Sequence, residues 1–293
     1  MKKISLLVFS AVMLFISGNV FAQVVEEEEN TSNWDSFYEP TNNNKAKKPF
    51  VYPYVRDADV VWQQRVWRLV DFREKMNQPF YYPVDAETDN QGRANLFTVI
   101  DRALTEGLIK VYEDDEFKVE ANWEKLRAGA GKSQLQTFYR PSDDLDGEDI
   151  SYDSLVTSGM APEDVKSMRI KEDWYVDKQR SVRDVRIIGF SLVTAITRED
   201  GSSSPYPLGW IRYNDPAVRN LLANSEMYNP RNDVQRLSYD DVFVKRLFTS
   251  YITRTTNTYN RQISAYLTGL DALFESDAIE EEIFNREQDM WEY

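Results

Sequence analysis

Three segments in the middle of the chain are rich in residues that favour β-strands. They combine Val, Ile, Trp and Tyr and partly alternate them with Arg, Asp and Glu, as strands with one buried face do. These segments are residues 170–176, Val182–Thr197 and residues 208–213. Lys178-Gln179-Arg180 and the Gly/Ser/Pro run at 201–205 separate them. Because such short connections join antiparallel strands, the sequence predicts an antiparallel meander.

Segments with helical spacing precede this β-rich block. Residues 57–76 carry a wide apolar stripe that includes Val60, Val66 and Val70, which predicts a helix. A second helix is predicted from Leu96 to Leu104, with a glycine stop shortly after it. A short strand is predicted next, at residues 108–112.

Helical spacing returns in the last third of the chain. Ser238 and Asp241 form a capping-box pair, and the helix that they begin is predicted to run through Ile252. Further helical spacing covers residues 259–270 and continues from Ile279 towards the C-terminus. Helices, strands and helices in separate blocks predict an α+β fold, in which an antiparallel meander packs with N-terminal and C-terminal helices.

The N-terminus has the pattern of an export signal. Two lysines precede an apolar run at residues 4–16, and Val20-Phe21-Ala22 completes a small-residue cleavage site. The sequence predicts removal of residues 1–22 and a mature chain that begins at Gln23 in the periplasm. Because Gln23 is not a cysteine, we expect no acyl anchor. Membrane association would then require a partner, without direct insertion of this chain.

Composition limits both the fold and its partners. The chain has no cysteine, so no disulfide stabilises it in an oxidising compartment, and an apolar core must do so. Loss of the signal peptide leaves 33 basic residues against 49 acidic ones, a net charge of −16. This charge repels phosphate backbones and argues against nucleic acid as a partner.

The chain is predicted to consist of an arm and a core. Residues 23–55 are polar and proline-containing and read as an extended arm, whereas residues 56–293 form the α+β core, with a possible internal boundary near residues 141–149. Trp34, Phe37 and Tyr38 lie within the arm and are the candidate partner-docking residues. Two interpretations stay open: a solvated linker, or a segment that folds when it docks on a partner.

The residues needed for common catalytic sites are absent. Without histidine or cysteine the chain cannot build a Ser-His-Asp triad, a Cys-His nucleophile, a Cys/His zinc site or a thiol redox pair. The sequence therefore predicts no enzyme and no cofactor.

Two segments imitate functional loops. Gly129-Ala130-Gly131-Lys132-Ser133 resembles the end of a phosphate-binding loop, but Leu126 occupies the position of its first glycine, and the preceding residues 122–127 look helical. A flexible loop is expected there. The acidic loop from Ser142 to Asp153 resembles a calcium loop that lacks two carboxylates, so a solvated turn is favoured over a calcium site.

Three longer stretches of sequence resemble the GldN/PorN family of gliding-motility and type IX secretion proteins. Together the likeness spans residues 56–293. The stretches include Arg65-Val66-Trp67-Arg68, Ile170-Lys171-Glu172-Asp173-Trp174 and Asp289-Met290-Trp291-Glu292-Tyr293.

The resemblance implies a structural role in the periplasm at the inner face of the outer membrane. It implies assembly with copies of itself into a ring, together with an outer-membrane lipoprotein of the GldK/PorK type. A contact with the periplasmic domain of a GldM/PorM-type motor complex is also implied, and no catalytic residues are. Two alternatives from other classes are a periplasmic glycan hydrolase that depends on carboxylates and a soluble glycan- or peptide-binding module.

Overall fold

Strands form the centre of the protein and helices pack around them. The computed structural model describes residues 47–84, 93–140, 150–158, 160–197, 203–232 and 234–289. The chain divides into two units, Met1–Thr41 and Asn42–Tyr293, and all described residues belong to the second. The predicted boundary near residues 141–149 lies outside the described residues.

The described elements alternate irregularly along the chain. The strands are β1 (Val60–Asp71), β2 (Lys132–Arg140), β3 (Ile150–Ser158), β4 (Val165–Asp177), β5 (Val182–Thr197), β6 (Ser203–Pro207), β7 (Ile211–Arg212), β8 (Glu226–Met227), β9 (Leu237–Ser238) and β10 (Tyr251–Thr255). The helices are α1 (Gln78–Tyr81), α2 (Leu96–Thr105), α3 (Trp123–Gly129), α4 (Pro216–Asn224), α5 (Tyr239–Val244) and α6 (Leu270–Asp289).

Six of these strands form one antiparallel sheet. Its order is β10-β1-β4-β5-β6, and β7 also pairs with β5. The β4–β5–β6 portion is the predicted meander, since each strand pairs with the next one along the chain. The two remaining pairs, β2–β3 and β8–β9, are separate two-stranded ribbons. The prediction of an α+β fold with an antiparallel sheet is confirmed.

The helix predicted over residues 57–76 is wrong, because β1 occupies most of this segment. Val66, Arg68 and Val70 alternate along the buried face of the strand, and Trp67 and Leu69 point to the other face. Arg68 occupies a buried position at which an alternating strand pattern normally has an apolar residue. Because a buried arginine interrupts the period of two, the remaining apolar residues have the spacing of a helix.

The predictions for the C-terminal helices hold only in part. The capping box is present, because the Asp241 N–H donates to Ser238 Oγ at 3.2 Å, but α5 ends at Val244. Arg246 has a φ of +52°, which stops the helix, and the predicted continuation through Ile252 is β10 instead. Within residues 259–269 only a 3₁₀ turn at Ile263–Ala265 is regular. The long C-terminal helix is confirmed as α6.

The predictions for the shorter elements are also confirmed only in part. Helix α2 is confirmed, and α3 covers the helix-like residues 122–127. The strand predicted at 108–112 is reduced to isolated bridges of Tyr112 with Glu120 and Trp210. The loop expected at 129–133 is shorter than predicted, because α3 ends at Gly129 and β2 begins at Lys132. This helix-to-strand order is the reverse of the order that a phosphate-binding loop requires.

Two groups of buried side chains hold these elements together. The larger one packs α1, α2, α4 and α5 against the sheet around an aromatic centre, in which the ring of Phe243 lies 5.7 Å from Phe190 and 5.8 Å from Phe80. The smaller one joins Val66, Trp174 and Ile252 of the sheet to Ile283 of α6. Within the described ranges, no helix combines the length and the apolar character that crossing a membrane requires.

The N-cap of α2 is predicted to contribute more to the free energy of unfolding than the N-cap of α3. Asn95 is buried, accepts the Thr98 N–H and donates to the Pro83 carbonyl, both at 2.7 Å. Asn95→Ala should lower the free energy of unfolding by about 2–3 kcal/mol, because it removes the cap and the hydrogen bond to the Pro83 carbonyl. Urea denaturation followed by circular dichroism measures the change.

Asn122→Ala is the matched control, since Asn122 caps α3 from an exposed position with a longer bond of 3.3 Å to the Lys125 N–H. Asn122→Ala should lower the free energy of unfolding by less than about 1 kcal/mol. Equal losses in the two variants would contradict the prediction.

Candidate interaction surface

The candidate residues from the sequence lie largely outside the described residues. This applies to Trp34, Phe37 and Tyr38 of the arm and to Ser142 of the acidic loop, while Asp153 lies in β3. In the part of the chain that the structure describes, no three His, Cys, Asp or Glu side chains are grouped so that they could hold a metal ion.

The described end of the arm lies against the core. Residues 47–54, called the N-terminal strap below, have no regular secondary structure. The Phe50 N–H donates to Asp240 Oδ2 at 3.0 Å, Arg219 donates to the Phe50 carbonyl at 2.7 Å, and Arg186 donates to the Pro53 carbonyl at 2.9 Å. The backbone of the strap is thus fixed at both ends by charged side chains of the core.

A buried ion pair forms the anchor of the strap. Arg219 donates to both carboxylate oxygens of Asp240, at 2.7 and 3.1 Å, and the Tyr213 hydroxyl donates to the same carboxylate at 3.0 Å. The ring of Tyr52 lies 4.0 Å from the guanidinium of Arg186 and 4.9 Å from that of Arg219. Burial raises the pKa values of Tyr52 and Tyr213, so both phenols stay neutral.

The first residue of the strap adds a second ion pair. Lys47 pairs with Asp241, the same residue that completes the capping box of α5. Burial opposes ionisation of this carboxyl, but hydrogen bonds from Lys47 and Ser238 outweigh it and hold the pKa of Asp241 below its usual value. The strap and the start of α5 therefore stabilise each other at neutral pH.

A second buried charge network joins the sheet to the C-terminal part of the chain. Glu172 of β4 has 0 % of its surface exposed. Arg246 donates to its two oxygens at 2.6 and 3.2 Å, Trp174 Nε1 donates at 2.8 Å, and Arg68 Nε lies 3.8 Å away. Three segments distant in sequence thus meet at one carboxylate.

Arg68 extends this network to helix α6. Its Nη2 donates to Glu280 at 3.1 Å, and its Nε donates to Ser250 at 2.8 Å. A further bond fixes the same helix, because the backbone N–H of Ile252 donates to Ser276 Oγ at 2.8 Å. With Ile279 and Ile283 packed into the smaller core, the inner side of α6 is held to the sheet by both polar and apolar contacts.

The outer side of α6 exposes large apolar side chains. Leu270, Phe274 and Phe284 are 71 %, 67 % and 49 % exposed. They share one stripe with the exposed acids Asp277 and Glu281, because residues three or four positions apart lie on the same helix face. These five residues are called the α6 outer stripe below. Aromatic residues are enriched in the cores of protein–protein contact surfaces, and polar residues form their rims.

Sequence reasoning missed these residues for identifiable reasons. The periodicity through Ile279 and Ile283 accounts for the inner side of α6 and leaves Leu270, Phe274 and Phe284 unexplained. Apolar residues on two sides of a strongly acidic helix are the signal that would have revealed a second contact surface. A second signal lies in β4. Charged residues within this apolar-rich strand, above all Glu172, indicate a buried charge network.

The fold and this surface define an α+β protein in which an antiparallel sheet holds a long helix with an apolar and acidic outer side. The family model described as "Gliding motility associated protein GldN" matches residues 55–292, and the chain therefore belongs to the GldN family. This confirms the resemblance found in the sequence. No curated protein matches the chain.

The Glu172 network is predicted to be essential for stability. Glu172→Gln preserves the shape of the side chain but removes the charge that faces Arg68 and Arg246. Arg246 then loses the carboxylate that accepts two of its hydrogen bonds, and the buried Arg68 keeps Glu280 as an acidic partner. Breaking this buried pairing should cost about 3–5 kcal/mol of unfolding free energy, measured by urea denaturation.

Glu282→Gln makes the same change in an exposed pair of α6, where Arg286 donates to Glu282 at 3.0 Å. It should cost no more than about 0.5 kcal/mol. Similar costs for the two variants would show that the buried network does not stabilise the fold.

The strap is predicted to depend on Tyr52. Tyr52→Ala removes the ring between two guanidinium groups, a contribution of about 1–2 kcal/mol. Exchange of the Phe50 amide hydrogen, measured by mass spectrometry, should accelerate about tenfold. Tyr54→Ala is the matched control, because Tyr54 is almost fully exposed. Equal exchange rates in the two variants would refute this role of Tyr52.

Proposed function

We propose that this protein is a non-enzymatic structural subunit of the periplasmic ring of the type IX secretion and gliding machinery. In this proposal the mature chain lies in the periplasm and assembles with copies of itself. It binds a GldK/PorK-like outer-membrane lipoprotein on one side and the periplasmic domain of a GldM/PorM-like motor complex on the other. Membership of a gliding-motility family supports the proposal. The export signal predicted for the first 22 residues agrees with the compartment.

The observation that carries the proposal is the α6 outer stripe. A helix whose inner side is tied to the sheet through Arg68 and Ser276 presents Leu270, Phe274 and Phe284 to solvent. Exposing large apolar side chains costs free energy in water, and burial against a partner recovers it. Asp277 and Glu281 between the anchors favour a partner with basic residues.

The pairing of buried acids supports a structural role over glycan hydrolysis. Among the described residues, five of the six buried carboxylates form an ion pair with an arginine, namely Glu172, Asp173, Asp177, Glu226 and Asp240. The sixth, Asp164, accepts the Ala161 N–H at 3.1 Å. Glycoside cleavage requires two carboxyl groups that face a common substrate across a cleft. Carboxylates whose oxygens accept from guanidinium groups serve the fold instead.

The proposal predicts that the α6 outer stripe is needed for assembly. Leu270→Lys, introduced into the native chain, should abolish co-purification with the lipoprotein partner in large particles, because a charge then occupies the apolar anchor. Detergent extraction of the envelope, affinity purification and sedimentation measure the particles. Thermal unfolding of the isolated variant should not change, since Leu270 is exposed.

Leu108→Lys is the control, because Leu108 is a comparably exposed leucine outside the stripe. Particles containing the Leu108→Lys chain should form normally. Failure of the unmodified protein to enter any large particle with a lipoprotein would overturn the proposed function itself.

A further inference from the structure

Two neighbouring rows of side chains cross one face of the main sheet, from β10 through β1 to β4. The first row is Arg254, Trp67 and Lys171, and the second is Tyr251, Leu69 and Arg169. Because Trp67 and Leu69 are two positions apart in β1, both rows lie on the same face. The sheet therefore places three basic side chains beside aromatic and apolar ones.

A cavity lies over these rows. Its volume is about 650 Å³, and Trp67, Leu69, Arg169, Tyr251 and Arg254 contribute to its lining. Other parts of the chain add further lining residues, among them Asp114, Asp115, Trp210 and Leu273. This space is called the arginine cavity below. Ligand pockets have volumes of about 300–1,000 Å³ and combine apolar and aromatic walls with a few polar groups, so the arginine cavity has the size and lining of a binding site.

One carboxylate of the chain itself already lies against the first row. Trp67 Nε1 donates to Asp115 Oδ2 at 2.9 Å, and Lys171 Nζ lies 3.5 Å from the same oxygen. Lys171 also donates to the main-chain carbonyl of Asp115. Asp115 therefore compensates the charge of Lys171. The other acid of the lining, Asp114, interacts electrostatically with Lys118.

The two arginines of the cavity are not compensated in this way. The guanidinium of Arg254 stacks on Trp67, 3.6 Å from the ring centroid, and its Nη2 lies 4.0 Å from Asp115 Oδ2, which is beyond hydrogen-bond distance. Arg254 Nε is buried and has no hydrogen-bond partner. Within the described ranges, Arg169 forms no ion pair and its side chain donates no hydrogen bond. A planar guanidinium matches a carboxylate in shape, and stacking on an aromatic ring holds it in one orientation.

The remaining lining favours a carboxylate over a phosphate. A phosphate carries a charge of about −1.5 to −2 at neutral pH, and Asp114 and Asp115 repel it more strongly than a singly charged carboxylate. Burial raises the pKa of Tyr251, so its hydroxyl stays neutral and is able to donate a hydrogen bond. The rings of Trp67 and Trp210 offer apolar surface for a side chain next to the bound carboxylate. A peptide supplies both groups.

We propose that the arginine cavity binds a peptide segment of a partner protein through one carboxylate. Arg169 and Arg254 hold the carboxylate, and a neighbouring apolar or aromatic side chain of the peptide packs on the tryptophan rings. The carboxylate belongs either to an Asp or Glu side chain or to a chain terminus. This inference goes beyond the proposed function, because the cavity lies within one subunit and its binding requires no ring.

Fluorescence polarisation of labelled peptides with the purified protein tests the proposal. The first probe is a short amidated peptide with a central glutamate between two phenylalanines, and the second has glutamine instead of glutamate. The third has the glutamine and a free C-terminal carboxylate. The first or the third probe should bind at least about tenfold more tightly than the second, because only these two offer charge-assisted hydrogen bonds to the arginines. Which of them does so identifies the source of the carboxylate.

A pair of arginine variants locates the binding. Arg169→Gln should weaken binding of the preferred carboxylate peptide about tenfold and leave binding of the amidated glutamine peptide unchanged. Its thermal unfolding should match that of the unmodified protein, since Arg169 forms no ion pair with a described residue. Arg102→Gln is the matched control, because Arg102 is an exposed arginine of α2 outside the cavity. The control variant should bind the peptide normally.

Three results would overturn the proposal. The first is that neither carboxylate peptide binds more tightly than the amidated glutamine peptide. The second is that Arg169→Gln and Arg102→Gln weaken binding equally, and the third is that vesicles containing phosphatidylglycerol bind whereas the peptides do not. Absence of large particles with the lipoprotein would refute the proposed function, but it would not change the peptide binding measured on the isolated protein.

Discussion

The buried carboxylate of Glu172 is the interaction on which the arrangement of this protein depends. Moving a carboxylate out of water costs several kcal/mol, and only well-placed cations and donors offset that cost. Here Arg246, Arg68 and Trp174 provide them, from the segment after α5, from β1 and from β4. These segments cannot separate without leaving a charge buried and unpaired. The network therefore favours one arrangement of sheet and C-terminal helix over others with similar apolar contacts.

The same network explains where sequence reasoning failed. The alternating patterns of β4 and β5 were long enough to predict both strands, and the capping box predicted the start of α5. The pattern of β1 was misread because Arg68 lies on its buried face, and a long-range partner for an arginine is invisible in a local pattern. β10 was missed for a related reason: at five residues it is too short for alternation to outweigh the helical spacing that precedes it.

The candidate surface was less predictable than the fold. Trp34, Phe37 and Tyr38 stood out because aromatic residues are rare in polar segments, whereas Leu270 and Phe274 looked like ordinary members of an amphipathic helix. Two interactions determine which side of α6 faces the sheet: the ion pair between Arg68 and Glu280, and the hydrogen bond from the Ile252 N–H to Ser276 Oγ. Contacts between residues so far apart in sequence are set by the tertiary fold. Periodicity alone could not assign the outer side.

The α6 outer stripe is connected to the main sheet through β1. Arg68 in the second half of β1 holds α6, whose outer side carries the exposed stripe. A force on α6 passes through Arg68 to β1 and is shared by the antiparallel ladder of β1 with β4, in which many hydrogen bonds must break together. The ion pairs around Glu172 oppose rotation of α6 on the sheet. The orientation of the outer stripe is therefore fixed by contacts within the subunit itself.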